Sequence, residues 1–366
     1  MPDSAPSRRR FLGASLASAA AASASPPPAA TKTRLGLDAF SLRSQGWSAT
    51  EFLDFAARNG AEVVNYSEPR FLGSLAPDDL KRVREYADGL DLALEVGFGS
   101  ICPTSTRFNK DDGTAEQQLE RMFGVAKFLG SPIVRCYLGS SVDRTTDLPL
   151  EAHIENTVKV CRNVREKALE AGIKIAVENH AGDMQALQLK GLIEEAGKDF
   201  VGALVDAGNA AWTLEDPVHT LETLAPYALT SGVRDSRIWE TEEGASVMWV
   251  PFGKGNVGIE RWKQRLSELR PDLTFELEII NLRTPRVFAY RKPEFWETYR
   301  DVPAWVFAGF EKLAREGRPY TEAPQPPAGV APRSDAFNRW AAEQERRDVE
   351  ADLAFSREKL GLGRSA

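Results

Sequence analysis

Short apolar runs alternate with amphipathic, helix-like segments from Arg34 to Arg315, and no two runs are joined by a hairpin turn. That alternation restricts the fold more than any composition value does. Parallel strands cannot be linked by tight turns, because the chain must return to the same end of the sheet, and a helix is the usual return path. The strand candidates are Arg34 to Phe40, Ala61 to Tyr66, Leu92 to Val96, Pro132 to Leu138, Ile173 to Val177, Val201 to Val205, Ala228 to Val233 and Leu273 to Ile280. About eight strand-helix units predict an α/β chain closed into a (β/α)8 barrel. A doubly wound open sheet is the alternative, weakened by the missing glycine-rich phosphate fingerprint.

The helix candidates carry their own punctuation. Ser48-Ala49-Thr50-Glu51 has the form of a capping box and opens a helix that stops at Asn59-Gly60. Thr114 to Leu129 is amphipathic and closed by Gly130, Leu150 to Ala171 is the longest, and Pro303 to Arg315 is the last helix of the repeat. Between Ser236 and Val257 a polar excursion holds Trp239, Trp249 and the turn Gly253-Lys254-Gly255-Asn256. It is longer than most strand-to-helix loops, which marks it as a lid or a substrate wall.

The two ends differ from the middle. Ser7-Arg8-Arg9-Arg10-Phe11-Leu12 precedes a weakly apolar run, Gly13 to Ala22, and Ala22-Ser23-Ala24 offers a small-x-small cleavage pattern. This is the form of a twin-arginine export signal, so the chain is expected in the periplasm or outside the cell. The run is too short and too poor in Leu, Ile and Val to be a membrane span, which needs about 20 apolar residues. The expected division is residues 1–30 as signal and linker, 31–320 as barrel, and 321–366 as a proline-rich linker and C-terminal helix. That helix is expected to pack on the barrel's outside or on another subunit of a homo-oligomer, with a solvated tail as the alternative.

A formal net charge of −7 offers no footprint for nucleic acid or an anionic membrane, and small neutral substrates fit better. Cys102, Cys136 and Cys161 are odd in number and match no zinc spacing. Cys136 and Cys161 read as small buried hydrophobes and Cys102 as a loop residue, while His153 and His219 sit on helices as surface or packing residues.

In a barrel of this kind chemistry sits at the carboxyl ends of the strands. Those ends offer Glu68, Glu95, Arg135, Glu178, Asn179, His180, Asp206, Asn209, Arg234, Asp235, Glu276 and Glu278. Two neighbouring strands finish in carboxylates, Glu178 and Asp206, whose oxygens would repel unless a proton or a hard cation lay between them. A divalent-metal site is one reading; caps for the following helices or partners for nearby arginines is the other. Glu276 and Glu278 are two apart on one strand and so face the same side. Arg234 is either a clamp for substrate hydroxyls or the partner of Asp235, with the pair slightly favoured.

Val177-Glu178-Asn179-His180, Asp206-Ala207-Gly208-Asn209, Val233-Arg234-Asp235, Pro251-Phe252-Gly253-Lys254-Gly255-Asn256-Val257 and Leu277-Glu278-Ile279-Ile280 together resemble the xylose isomerase-like TIM barrels, the sugar phosphate isomerase/epimerase group. The resemblance covers roughly Arg34 to Pro319. It implies that Glu178, Asp206 and Glu278 hold a divalent ion, manganese, magnesium or similar, with a fourth ligand near position 232. It also implies that Glu178 and Glu278 take and return a proton beside a sugar carbonyl and that His180 contacts the substrate; Asn179, Asn209, Arg135 and Arg234 could hydrogen-bond the hydroxyls of a small carbohydrate, and Trp239 and Trp249 could stack on a sugar face or pack within their own loop. The chain departs from the pattern at Gly232, where the resemblance expects histidine; His180 is the candidate replacement. A catalytically degenerate, sugar-binding barrel that lost that ligand is the competing expectation.

Overall fold

A computed structural model describes residues 32–281 and 284–364; the expected export signal lies outside them. Eight strands form one parallel sheet: β1 (Arg34–Asp38), β2 (Val63–Tyr66), β3 (Ala93–Ser100), β4 (Ile133–Tyr137), β5 (Lys174–Glu178), β6 (Val201–Asp206), β7 (Ala228–Gly232) and, last along the chain, β10 (Thr274–Leu277). The sheet runs β10-β1-β2-β3-β4-β5-β6-β7. It nearly closes, because Val233 just past β7 donates to Glu276 O at 2.7 Å and accepts from Glu278 N at 3.2 Å. The (β/α)8 expectation therefore holds in its architecture, and the open sheet does not.

The polar excursion is a hairpin rather than a loop. β8 (Asp235–Thr241) and β9 (Gly244–Val250) pair antiparallel, and β11 (Arg286–Phe288) adds to β9. This small sheet sits over a separate apolar cluster with Ile238, Val247, Phe288 and Phe310. The turn after β9 is pinned by Asp235, whose carboxylate accepts the backbone N–H groups of Ser236, Gly253 and Gly255 at 2.8, 2.9 and 3.0 Å.

Local punctuation works as the residues dictate. Ser48 and Glu51 close a reciprocal capping box on helix Ala49–Arg58, and Thr114 caps helix Ala115–Leu129, which ends on the left-handed Gly130.

The eighth barrel helix is not the one the repeat predicts. Helix Ala304–Glu316, the expected last member, buries Phe310 and Ala314 in the hairpin's cluster. The place beside β1 and β10 belongs instead to the C-terminal helix Asp335–Glu358, whose Val349 and Leu353 are fully buried in the main core. Phe355 on this helix meets Phe252 edge-on, and Phe252 in turn meets Phe275 of β10. Glu345 accepts from Ser44 N at 3.0 Å and Asp352 from Phe252 N at 3.0 Å, so one helix ties two turns at the barrel mouth. Of the alternatives for this tail, packing against the barrel is the one observed.

Candidate active site

The C-terminal ends of β5 and β6 and the residue just beyond β10 bring Glu178, Asp206 and Glu278 together. One carboxylate oxygen from each lies within 4.8 Å of the others, an arrangement that could hold a metal ion. Three buried carboxylates this close need positive charge to coexist. The chain supplies it. Arg135 Nε donates to Glu178 Oε2 at 2.6 Å, and its Nη2 pairs with the same oxygen. Arg234 Nη2 pairs with Asp206 Oδ2 and lies 2.8 Å from Glu278 Oε2 and 3.8 Å from Glu178 Oε1. Asn209 completes the set, its Nδ2 donating to Glu178 Oε1 at 2.9 Å and its backbone N–H to Asp206 Oδ1 at 2.6 Å.

Burial raises the Glu178 carboxyl well above its ordinary range against the pull of Arg135, with Glu278 and Asp206 pushing the same way as burial. Burial takes Asp206 up to about 6, opposed by Arg234. Asp38, at the end of β1, is pushed up to about 7 by burial and then by Glu278. Burial works against both guanidinium charges, yet the surrounding carboxylates outweigh it and hold Arg135 and Arg234 above the usual range.

A cavity of about 260 Å³ opens at this end of the barrel, lined among others by Arg135, His180, Asn209, Arg234 and Glu278. Glu178 and Asp206 lie behind that lining, covered by the two arginines and Asn209. Asn179 faces away from the cavity: its amide brackets the Asp206 backbone, donating to the carbonyl at 2.9 Å and accepting from the N–H at 2.8 Å. Trp239 is packed with Met248 and Val250 elsewhere on the hairpin, and the tryptophan on the cavity wall is Trp249. Arg234 does not pair with Asp235, which is occupied by the turn described above. His180 is outside the carboxylate group; its Nδ1 lies 2.6 Å from Gly139 O and its ring stacks on Tyr137 at 3.8 Å. Burial pushes its pKa well below the usual value, so the ring is neutral, and a proton on Nδ1 facing the carbonyl leaves Nε2 as an acceptor. Glu276 lies deeper in the barrel, accepting from Asn65 Nδ2 at 2.8 Å.

Tyr137, Trp212 and Arg107 also line the cavity. Tyr137 was findable, since it follows Arg135 by two on one strand and shares its face. Cys102 lies on the loop after β3, as expected, and is buried there beside His153; all three cysteines are free.

The donor set suits a hard cation, but its meeting point is taken. A Cβ at Gly232 would stand 3.1 Å from Asp206 Oδ2, so a side chain there would project onto the carboxylates; glycine offers no ligand atom. With Arg234 Nη2 in contact distance of two carboxylates and near the third, an ion and this guanidinium do not fit together.

Solved structures similar in fold include a D-psicose 3-epimerase determined in the presence of D-fructose (TM-score 0.58, 13% identity, covering 90% of this chain and 100% of that one). Another is a xylose isomerase-like TIM barrel protein from Mycobacterium smegmatis in complex with magnesium (TM-score 0.53, 14% identity, covering 77% and 98%). A third is the probable 3-DHS dehydratase AsbF from Bacillus anthracis (TM-score 0.53, 16% identity, covering 68% and 93%). No curated protein matches in sequence. The description "Xylose isomerase-like TIM barrel" matches residues 53–298, the stretch that builds all but the first strand of the barrel and every carboxylate of the cluster, and the chain belongs to that family.

Proposed function

We propose that the chain is an exported sugar isomerase- or epimerase-type enzyme. It removes a proton beside the carbonyl of a keto-sugar, inositol-like polyol or oxidised glycoside, with a lyase outcome where a leaving group departs from the same intermediate. The observation that carries this reading is Glu278, a carboxylate on the wall of a monosaccharide-sized cavity with the Arg234 guanidinium 2.8 Å from its Oε2. Glu278 takes the carbon-bound proton, the electron pair moves to the carbonyl oxygen, and the guanidiniums of Arg135 and Arg234 face the charge that develops there. Return of the proton by Glu278 to the former carbonyl carbon, while the proton of the adjoining hydroxyl passes to the former carbonyl oxygen, gives isomerisation. Return from the opposite side by Glu178 gives epimerisation, and requires Arg234 to move aside. His180 Nε2 and Asn209 hydrogen-bond the sugar hydroxyls. Export rests on the Ser7 to Ala24 motif, and an exported protein beginning at Ser25 is its test.

A sugar panel in D2O, followed by NMR at the carbon-bound hydrogens, tests the chemistry. Exchange should occur for one sugar class and vanish in Glu278→Gln, even without net conversion. A second reading is favoured by the closure of Glu178 behind its arginines: a sugar-binding barrel without turnover. Saturable sugar binding with no exchange across the panel would establish that reading over the first.

A further inference from the structure

We infer that Arg234 is the resident cation of this pocket and takes the place of a divalent ion, so that the site works, or binds, without metal. The inference deepens the reading of the same cavity given above, but its test measures ion binding, so the two stand or fall separately.

Arg234 is built into its position from three sides. On one side its Nη2 contacts Asp206 and Glu278 and approaches Glu178. On the other its Cζ lies 4.3 Å from the centre of the Trp249 ring, a cation–π distance. Trp249 stacks on Trp212 with centroids 4.6 Å apart and planes 13° from parallel, and Arg286 Cζ covers the far face of that pair at 4.8 Å from Trp212. Trp249 is fixed along its edge by Nε1 donating to Gly208 O at 3.1 Å. The third side is a glycine: a Cβ at position 208 would stand 2.7 Å from Arg234 Cβ and 3.1 Å from Trp249 Nε1. Gly208 thus keeps open the slot in which the arginine and the indole lie.

Charge makes the two cations exclusive. Three ionised carboxylates facing two guanidiniums would leave one negative charge; adding a divalent ion beside a retained Arg234 would put two cations within a few ångströms of each other in a buried site, where like charges repel strongly. Both oxygens of Glu178 and both of Asp206 are also already engaged by Arg135, Arg234 and Asn209. A guanidinium cannot withdraw electrons from a carbonyl as a metal does, but it donates two parallel hydrogen bonds and needs no ion supply.

The test is titration of the full chain, dialysed against chelator, with Mn2+ by calorimetry, alongside thermal unfolding with and without Mn2+. Wild type should show no saturable binding below millimolar Mn2+, and its unfolding temperature should not move. Arg234→Gln should bind at least about tenfold tighter, about 1.4 kcal/mol; if that variant is too unstable to titrate, Mn2+ should raise its unfolding temperature. Arg234→Lys keeps the charge and should behave as wild type. Stoichiometric micromolar binding to wild type, a Gln variant that gains nothing, or a Lys variant that gains as much as Gln would each overturn the inference.

Discussion

Replacing Arg135 by methionine isolates the main electrostatic contact of the site. Methionine keeps most of the stem and removes the guanidinium, which donates to Glu178 Oε2 at 2.6 Å and to Phe98 O at 3.1 Å. Glu178 is 1% exposed, so water cannot replace the lost partner. Breaking a buried pair from one side costs about 3–5 kcal/mol, because one charge is left uncompensated. Asn209 and Arg234 remain near the other oxygen, which places the expected loss at the lower end, about 3 kcal/mol. Urea denaturation should show a lower midpoint at an unchanged slope. The double variant Arg135→Met with Glu178→Gln removes both charges and should recover at least about 1 kcal/mol relative to the sum of the single variants. A single-variant loss under about 1 kcal/mol, or strict additivity, would show that Arg135 does not compensate Glu178.

Leu353→Ala tests the C-terminal helix as part of the barrel; the residue is fully buried in the main core, so unfolding should become easier by about 2–5 kcal/mol, and a loss near zero would place the helix outside the core. Ser48→Ala removes a reciprocal cap and should cost about 1 kcal/mol in the same assay. Asp183, Glu215 and Asp235 are each pushed up to about 7 by burial. Their unfolded values lie near 4, so the folded state holds extra protons between about 4 and 7 and stability should fall as pH rises through that window. Denaturation midpoints across that range check the slope, which Asp183→Asn should flatten; a rise in stability with pH would reverse the assignment.

The barrel was legible because its signals are local and repeated: short apolar runs, caps at Ser48 and Thr114, and a terminating Gly130. The eighth helix was not, because Ala304–Glu316 and Asp335–Glu358 are both amphipathic and only packing decides which covers the barrel. At the site, the strand ends named the carboxylates, and the structure gathers Glu178, Asp206 and Glu278 into one cluster. Sequence adjacency misled for Arg234: neighbours on extended backbone point to opposite faces, so Asp235 serves the turn after β9 while Arg234 enters the barrel mouth. Asp206 does both things that the reading without metal offers, since it caps its helix through Asn209 N and pairs with arginine. The Trp249–Trp212 stack joins residues from different elements, and no local pattern announces such a meeting.

The barrel's closing helix, Asp335–Glu358, lies well beyond the last barrel strand, Thr274–Leu277, along the chain. During synthesis the seam between the first and last staves stays bare until this helix has left the ribosome, so a nascent chain still lacking it exposes greasy surface that chaperones and proteases would read as unfinished. The same late segment latches Ser44 and Phe252 at the mouth. Completion of the wall and shaping of the entrance are therefore one event.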